Sequence, residues 1–267
     1  MYSTNYHRAS SVDEAVRLLG ATPDGKYVSG GMTLIPAMKT RLAAPSDLVD
    51  LRHVPEIRGI TINGNMVTIG AGVTHAEVAT HSGLAAVCPA ICKLASHIGD
   101  PHVRHMGTIG GSVANNDPSA DYPAALLAIE ATIVTNLREI PAEAFFTGLF
   151  ETALDVGEMI TAVTFTAPAS CGYAKFPNPA SRYAMTGVFV AKDGGGVRAA
   201  VTGAGGDGVF RSPEIEAALT SNFHPSALEG VTVPSANLIA DIHGSAEYRA
   251  NLVVVMAKRA VAAAIGS

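Results

Sequence analysis

Apolar residues first recur with a helical period at Ala15, Leu18 and Leu19, behind Ser11 and Glu14, which are spaced as a capping box. This pattern predicts a helix over residues 11–20, with Gly20 as its stop. A short apolar strand at 27–29, a helical stretch at 33–41 ended by Pro45, and a strand at 47–51 complete a small α/β unit. The period then changes. Residues 60–69, ITINGNMVTI, are two β-prone runs around Asn63-Gly64 and predict a hairpin. Thr74 opens a short capped helix to residue 82, and residues 89–98 form another with an apolar stripe. A helix is expected over 121–130, a strand over 131–135, a helix over 141–154 packing Phe145, Phe146 and Phe150, and a strand over 158–166. Composition shifts at Ala167-Pro168-Ala169-Ser170. Beyond it lie two long β-prone runs, 185–192 and 197–203, joined at Asp193-Gly194, with short helices at 213–220 and 226–229. The last helix, 245–265, is expected to place Tyr248, Leu252, Val255, Met256 and Ala263 on one face.

One stretch fits neither period. Residues 103–123, VRHMGTIGGSVANNDPSADYP, are small and polar, with Gly107, Gly110 and Gly111. Gly110-Gly111 removes two successive Cβ atoms, which predicts a sharp turn that a ligand can touch. Thr108 and Ser112 flank the pair with hydroxyls, a composition suited to an anion-binding nest. A second pair stands in YVSGGMTLIP, residues 27–36, where Gly30-Gly31 turns the chain after Ser29 and Thr33 is placed to cap the next helix. Two such nests could hold one diphosphate from two sides. Two other glycine patterns fail. Residues 20–27, GATPDGKY, end in Tyr27 where a nucleotide loop needs a small hydroxyl, and run from helix to strand. Gly70-Ala71-Gly72 lacks the third glycine of a dinucleotide fingerprint, with His75 at that place. His97, Asp100, His102 and His105 read as a solvated approach loop rather than a metal site, because no helical register gathers them.

Composition narrows the function. The chain is 48% hydrophobic and 15% charged, enough to bury a sizeable core over 267 residues. A net charge of -5 argues against a nucleic-acid footprint. No apolar run approaches the ~20 residues of a membrane span, and the N-terminus shows no apolar signal region, so a cytoplasmic protein is expected. Three cysteines, Cys88, Cys92 and Cys171, are too few for an iron–sulfur cluster ligated within the chain. No residue reads as a nucleophile or a general base.

The stretches SGGMTLIPAMKTRLAAPSDLVDLRHV (29–54) and HVRHMGTIGGSVANNDPSADYPAALLAI (102–129) closely resemble the FAD-binding medium subunit of molybdenum hydroxylases, the carbon-monoxide-dehydrogenase and xanthine-dehydrogenase types. The likeness continues through EMITAVTF (158–165), YAKFPNPASRYAMTGVFV (173–190) and EYRANLVVVMAKRAV (247–261), and so covers nearly the whole chain. The resemblance implies an α+β protein: a two-subdomain FAD-binding fold of the vanillyl-alcohol-oxidase/PCMH type, at 1–55 and 56–167, followed by a C-terminal α+β domain at 168–267. It implies that Ser29, Gly30, Gly31, Met32 and Thr33 line the pyrophosphate of a non-covalent FAD, and that Thr108, Ile109, Gly110, Gly111 and Ser112 complete the cradle. It also implies that Ile98 lies against the flavin and that Asp121 hydrogen-bonds the cofactor. Ile160 and Lys175 match two further contacts, against which stand strand-edge packing for Ile160 and a solvated surface position for Lys175. Met32 stands where many relatives have a polar residue, and the segment after Thr135 is short.

The implied role is an FAD-carrying electron-transfer subunit, passing electrons from iron–sulfur clusters to a final acceptor. The implied partners are a molybdopterin-containing large subunit and a small subunit with 2Fe-2S clusters, assembled as a dimer of heterotrimers. A self-contained flavin-dependent oxidase or reductase and a non-catalytic assembly module remain as alternatives at this point.

Overall fold

A computed structural model describes residues 1–266, along which three main sheets succeed one another. The first contains β1 (Asn5–Arg8), α1 (Val12–Gly20), β2 (Gly25–Val28), α2 (Leu34–Lys39) and β3 (Asp47–Asp50). Its strands run parallel in the order β1-β3-β2, with every residue of the central β3 buried. Ser11 caps α1 by accepting from Glu14 N, but the Glu14 carboxylate returns to Ser10 N rather than Ser11, so the capping box closes one residue early. Thr33 precedes α2 with a helical backbone and no side-chain cap bond, contrary to the expected cap. Gly31 O supplies the first acceptor of that turn instead, taking Ile35 N at 3.0 Å.

The second sheet opens with the expected hairpin, β4 (Ile60–Asn63) and β5 (Met66–Gly70), turning at Gly64 with φ 60°. Six short helices follow: α3 (His75–Thr80), α4 (Ser82–Val87), α5 (Pro89–Ser96), α6 (Pro101–Met106), α7 (Ile109–Asn115) and α8 (Tyr122–Ala128). Thr74 and Glu77 form a complete capping box on α3. The expected approach loop is α6 over 101–106: Asp100 Oδ1 accepts from Val103 N at 3.0 Å and Pro101 takes the first helical position. Asp-Pro therefore starts a helix here. The chain continues through β6 (Thr132–Thr135), β7 (Glu139–Pro141), α9 (Ala142–Phe145), β8 (Phe146–Gly148), β9 (Glu151–Thr152) and β10 (Ile160–Thr166). The antiparallel order is β4-β5-β10-β6-β7.

The expected helix over 141–154 stops after one turn. Asn116, with φ 41°, donates through Nδ2 to Gly148 O (2.9 Å) and Glu151 O (2.8 Å), and its carbonyl accepts from Phe150 N. Those three bonds bend the segment into the β8–β9 hairpin, burying Phe145 and leaving Phe150 exposed.

The third sheet is antiparallel, in the order β11 (Ser170–Pro177), β12 (Ala184–Asp193), β13 (Gly196–Thr202) and β14 (Phe210–Arg211). α10 (Pro213–Ser221) and α11 (Ala246–Ile265) complete the chain, and residues 225–228 form only a 3-10 turn. β11, with Gly172 and a terminal Pro177, was not anticipated as a strand. β12 is buried on both faces. Phe189 and Ala191 join the large core beneath the second sheet, whereas Val188 and Val190 join a second core with α11, the period-2 alternation dividing them. α11 buries Leu252 and Met256 as expected, but Val253, Ala257, Ala260, Val261 and Ala264 complete that face. Tyr248 and Ala263 point outward, because the helix packs on the sheet through its small residues. Among the described residues, no helix is long and apolar enough to cross a membrane.

Candidate functional site

The two glycine motifs meet, although they belong to different sheets. Behind β5 the turn at 71–72 and the residues that lead into α3 support the start of α7: Gly110 N donates to Ala71 O (2.9 Å), Ile109 N to Val73 O (3.0 Å), and His75 N to Gly107 O (2.9 Å). Thr108 caps α7, its Oγ1 accepting from Gly111 N at 3.2 Å, and the same hydroxyl donates to Ser29 Oγ at 3.2 Å. Gly30 lies flat on the turn after α6, where a Cβ would run into the Met106 carbonyl. The motifs are thus joined backbone to backbone and hydroxyl to hydroxyl.

The two glycine pairs do different jobs. Gly110 and Gly111 are helical, not a sharp turn as expected, and the N–H groups of residues 109–112 all have acceptors inside the chain. Gly110 is required by packing, since a Cβ would fall 2.5 Å from Ala71 Cβ. Gly111 borders open space, where a Cβ would meet only Thr108 Oγ1, at 3.0 Å. The other pair is a real nest. Gly31 is left-handed (φ 69°), and among the described residues no acceptor takes the N–H groups of Gly30, Gly31, Met32 or Thr33. These are four successive donors, partly open to solvent, with nothing in the chain to satisfy them, the arrangement that receives an anion. Ser112 adds a half-buried hydroxyl, and Met32 stands exposed at the rim.

A second cluster lies where α8 meets β11. Asp121 and the Lys175 side chain are each 4% exposed, and Lys175 Nζ stands 2.9 Å from Asp121 Oδ1 and 3.0 Å from Oδ2. Lys175 also donates to His97 O (3.1 Å), and Tyr173 donates a short hydrogen bond to Asp121. Lys175 is therefore a buried ion-pair partner, not a solvated surface lysine. Burial pushes the Asp121 carboxyl up, against the pull of Lys175 and Tyr173. A molecule arriving here meets a neutralised pair, not a bare carboxylate. Ile98, half-buried, follows the His97 carbonyl at the end of α5. Ile160 is buried in the large core at the head of β10, paired with Thr135. Its neighbour Thr161 accepts from Ala71 N (2.9 Å), so that strand backs the support of α7.

Sequence reasoning missed Tyr173 and the support segment 71–75. Tyr173 and Lys175 share one face of β11 by strand alternation, a signal that becomes visible only once β11 is recognised as a strand. His75, buried behind Gly107, is held neutral: burial foremost, then Arg104, lowers its pKa to about 4.

Because Thr108 both caps α7 and ties it to Ser29, Thr108→Ala is expected to cost about 1–2 kcal/mol in a denaturant titration. Thr108→Ser should recover most of that loss. A serine variant as weak as the alanine one would show that the methyl group, not the hydroxyl, matters.

Comparison with known proteins gives the family and the fold. The family described as "FAD binding domain in molybdopterin dehydrogenase" matches residues 2–168. The chain is 34% identical to the nicotine 6-hydroxylase medium subunit of Paenarthrobacter nicotinovorans, over 96% of this chain and 95% of that one. It is also 34% identical to the carbon monoxide dehydrogenase medium chain of Afipia carboxidovorans, over 97% and 96%. A solved structure of carbon monoxide dehydrogenase from Hydrogenophaga pseudoflava superposes with a TM-score of 0.87 at 34% identity, covering 99% of this chain and 98% of that one. The fold is accordingly the α+β, PCMH-type FAD-binding fold with a C-terminal α+β domain, as in the carbon monoxide dehydrogenase flavoproteins. With four free donors at Gly30–Thr33 tied to a capped helix through Ser29 and Thr108, and with these relatives spanning its whole length, the chain belongs to the FAD-binding medium subunits of the molybdenum hydroxylases, the carbon monoxide dehydrogenase and xanthine dehydrogenase family.

Proposed function

We propose that this chain carries a non-covalent FAD and passes electrons from iron–sulfur clusters in a partner subunit to a final acceptor, within a cytoplasmic complex whose large subunit holds molybdopterin. The observation that carries this reading is the junction of the two glycine motifs: four unpartnered N–H groups at Gly30–Thr33, fixed beside α7 by the Thr108–Ser29 bond. The residues present fit a diphosphate. Ser29, Gly30, Gly31, Met32 and Thr33 would supply donors from one side. Ser112 would add a hydroxyl from the other, with Thr108 holding Ser29 in place, Ile109 and Gly110 fixing the helix and Gly111 leaving it uncovered. Neutral donors at close range suit an anion with several oxygens.

FAD, when bound, supplies a centre that accepts electrons singly and releases them in pairs. The chain's own contribution is binding and placement. Asp121, held by Lys175 and Tyr173, would hydrogen-bond the cofactor, with Lys175 offering a compensating cation and Ile98 an apolar contact for the flavin. Ile160 would act through β10, which backs the support of α7. His75 is buried behind Gly107, in keeping with a flavin held without a covalent link. We assign the units 1–55, 56–167 and 168–267 to two FAD-binding subdomains and a C-terminal domain, in keeping with the three sheets. A dimer of heterotrimers is the proposed assembly.

The test has two arms. The purified chain should be yellow and release intact FAD into the supernatant on acid precipitation; recovery of FMN or NAD, or flavin remaining with the pellet, would contradict the proposal. The FAD-loaded chain should not turn over aldehydes, purines, N-heterocycles or carbon monoxide with a dye acceptor until both partner subunits are added. Turnover by the chain alone would favour a self-contained oxidase.

A further inference from the structure

All three cysteines are free thiols buried in the large core. Cys88 ends α4 and begins α5; Cys171 is the second residue of β11, 83 positions away. Their Sγ atoms stand 3.5 Å apart. This contact lies on the seam between α5 and β11, and the other end of that seam is closed by Lys175 Nζ on His97 O. Cys171, Tyr173 and Lys175 alternate along one face of β11, so the thiol pair and the charge cluster belong to one packed edge. Cys92, one turn further along α5, directs its sulfur to the His81 carbonyl at 3.9 Å.

We propose that Cys88 and Cys171 are a disulfide-forming pair that clamps α5 to β11 when the protein meets a peroxide. A disulfide has to close the 3.5 Å between the two sulfurs to a bond length of about 2 Å. The hydrogen bond from Cys88 lowers the Cys171 thiol below its ordinary pKa, while that same bond and burial raise Cys88. Cys171, 5% exposed where Cys88 is fully enclosed, is the sulfur that a peroxide reaches first and the one that attacks. Its thiolate displaces hydroxide from hydrogen peroxide: an S–O bond forms, the O–O bond breaks, and a sulfenic acid remains. Cys88, losing its proton, then attacks that sulfur; the S–S bond forms and the S–O bond breaks, releasing a second hydroxide. With the two thiol protons, the balance is two thiols and one peroxide giving one disulfide and two waters, sulfur losing two electrons and peroxide gaining them. Cys92 is left out, because burial pushes its thiol to about 11 and its sulfur faces a carbonyl. In a thiol-reducing compartment such a bond is transient and reports oxidant.

The experiment uses the full chain as purified, folded, with its bound flavin content recorded. It is treated with millimolar hydrogen peroxide, quenched, alkylated and digested without reductant. Peptide mass spectrometry is expected to find Cys88 linked to Cys171, with Cys92 recovered as an alkylated thiol, and dithiothreitol should return all three to thiols. Amide exchange in α5 should slow about tenfold in the linked protein, the size of effect a local clamp on an opening segment produces. In Cys88→Ser, Cys171 should instead be trapped as a dimedone adduct. Recovery of all three thiols from the folded wild-type chain would overturn the proposal, as would a link through Cys92 or unchanged exchange in the linked protein. The outcome is independent of FAD binding, so failure here leaves the electron-transfer reading untouched.

Discussion

Gly111→Val is expected to leave a folded chain that no longer retains FAD, whereas Gly110→Val should fail earlier, in folding itself. A Cβ at Gly111 meets one atom, Thr108 Oγ1, at 3.0 Å, and otherwise open space. Valine there pushes the Thr108 hydroxyl off Gly111 N and away from Ser29, the bond that ties the two motifs together. The stability cost is that of a lost cap, about 1 kcal/mol. The binding cost should be larger: a diphosphate that needs both motifs at once should lose more than about 100-fold in affinity, on the order of 3 kcal/mol. At Gly110 the obstacle is backbone. A Cβ would lie 2.5 Å from Ala71 Cβ and 2.7 Å from Ala71 O, and neither can move without giving up Gly110 N–Ala71 O and Ile109 N–Val73 O. Overpacking together with two buried backbone bonds should cost about 3 kcal/mol or more. The flavin-to-protein ratio and the thermal midpoint, measured on both variants, separate the two roles. Full FAD content in Gly111→Val would place the cofactor elsewhere, and wild-type melting of Gly110→Val would show that residues 71–75 do not support α7.

Arg138→Ala is the second large effect, and it concerns stability alone. The short connection between β6 and β7 closes on a buried carboxylate. Glu158 accepts from Arg138 Nε (3.0 Å) and Nη2 (2.9 Å), from Thr135 Oγ1 (2.7 Å) and from Asp155 N (2.8 Å). Its side chain is fully enclosed, while the arginine remains half in solvent. These bonds, the arginine foremost, hold the Glu158 pKa at about 2. Removing Arg138 takes away two of the four donors and leaves those of Thr135 Oγ1 and Asp155 N, so the Glu158 pKa should rise and the fold lose stability. The pH dependence follows from the sign of the shift. A folded pKa below the unfolded value means the carboxylate stabilises the fold above about pH 4.5, a contribution lost as pH falls towards about 2. Denaturant titrations should therefore show Arg138→Ala less stable than wild type at pH 7, the gap narrowing steadily below about pH 4.5. A gap of the same size at pH 3 as at pH 7 would mean that the arginine acts through packing rather than through Glu158.

Local physics by itself determined a good deal of this protein. The Ser11 and Thr74 caps, the Asn63-Gly64 hairpin, and the strands either side of Asp193-Gly194 all depend on residues within a few positions of one another, and each formed where its pattern stands. The two Gly-Gly motifs were equally legible as unusual, and their text carried the family. Tertiary structure alone decided what each part does. Asn116 ended the expected helix at 141–154 from more than thirty residues away. β11 stands between β12 and α5 although its own sequence is a poor strand former, and only in that place do Tyr173 and Lys175 reach Asp121, 52 and 54 positions back. The glycine pairs look alike in sequence, yet Gly31–Thr33 keep their donors free while Gly110 spends its donor on Ala71. A hydrogen-bonding group is free or committed according to which acceptor the fold brings to it. For Thr108 and Ser29 that partner lies 79 residues away, beyond the reach of any local pattern.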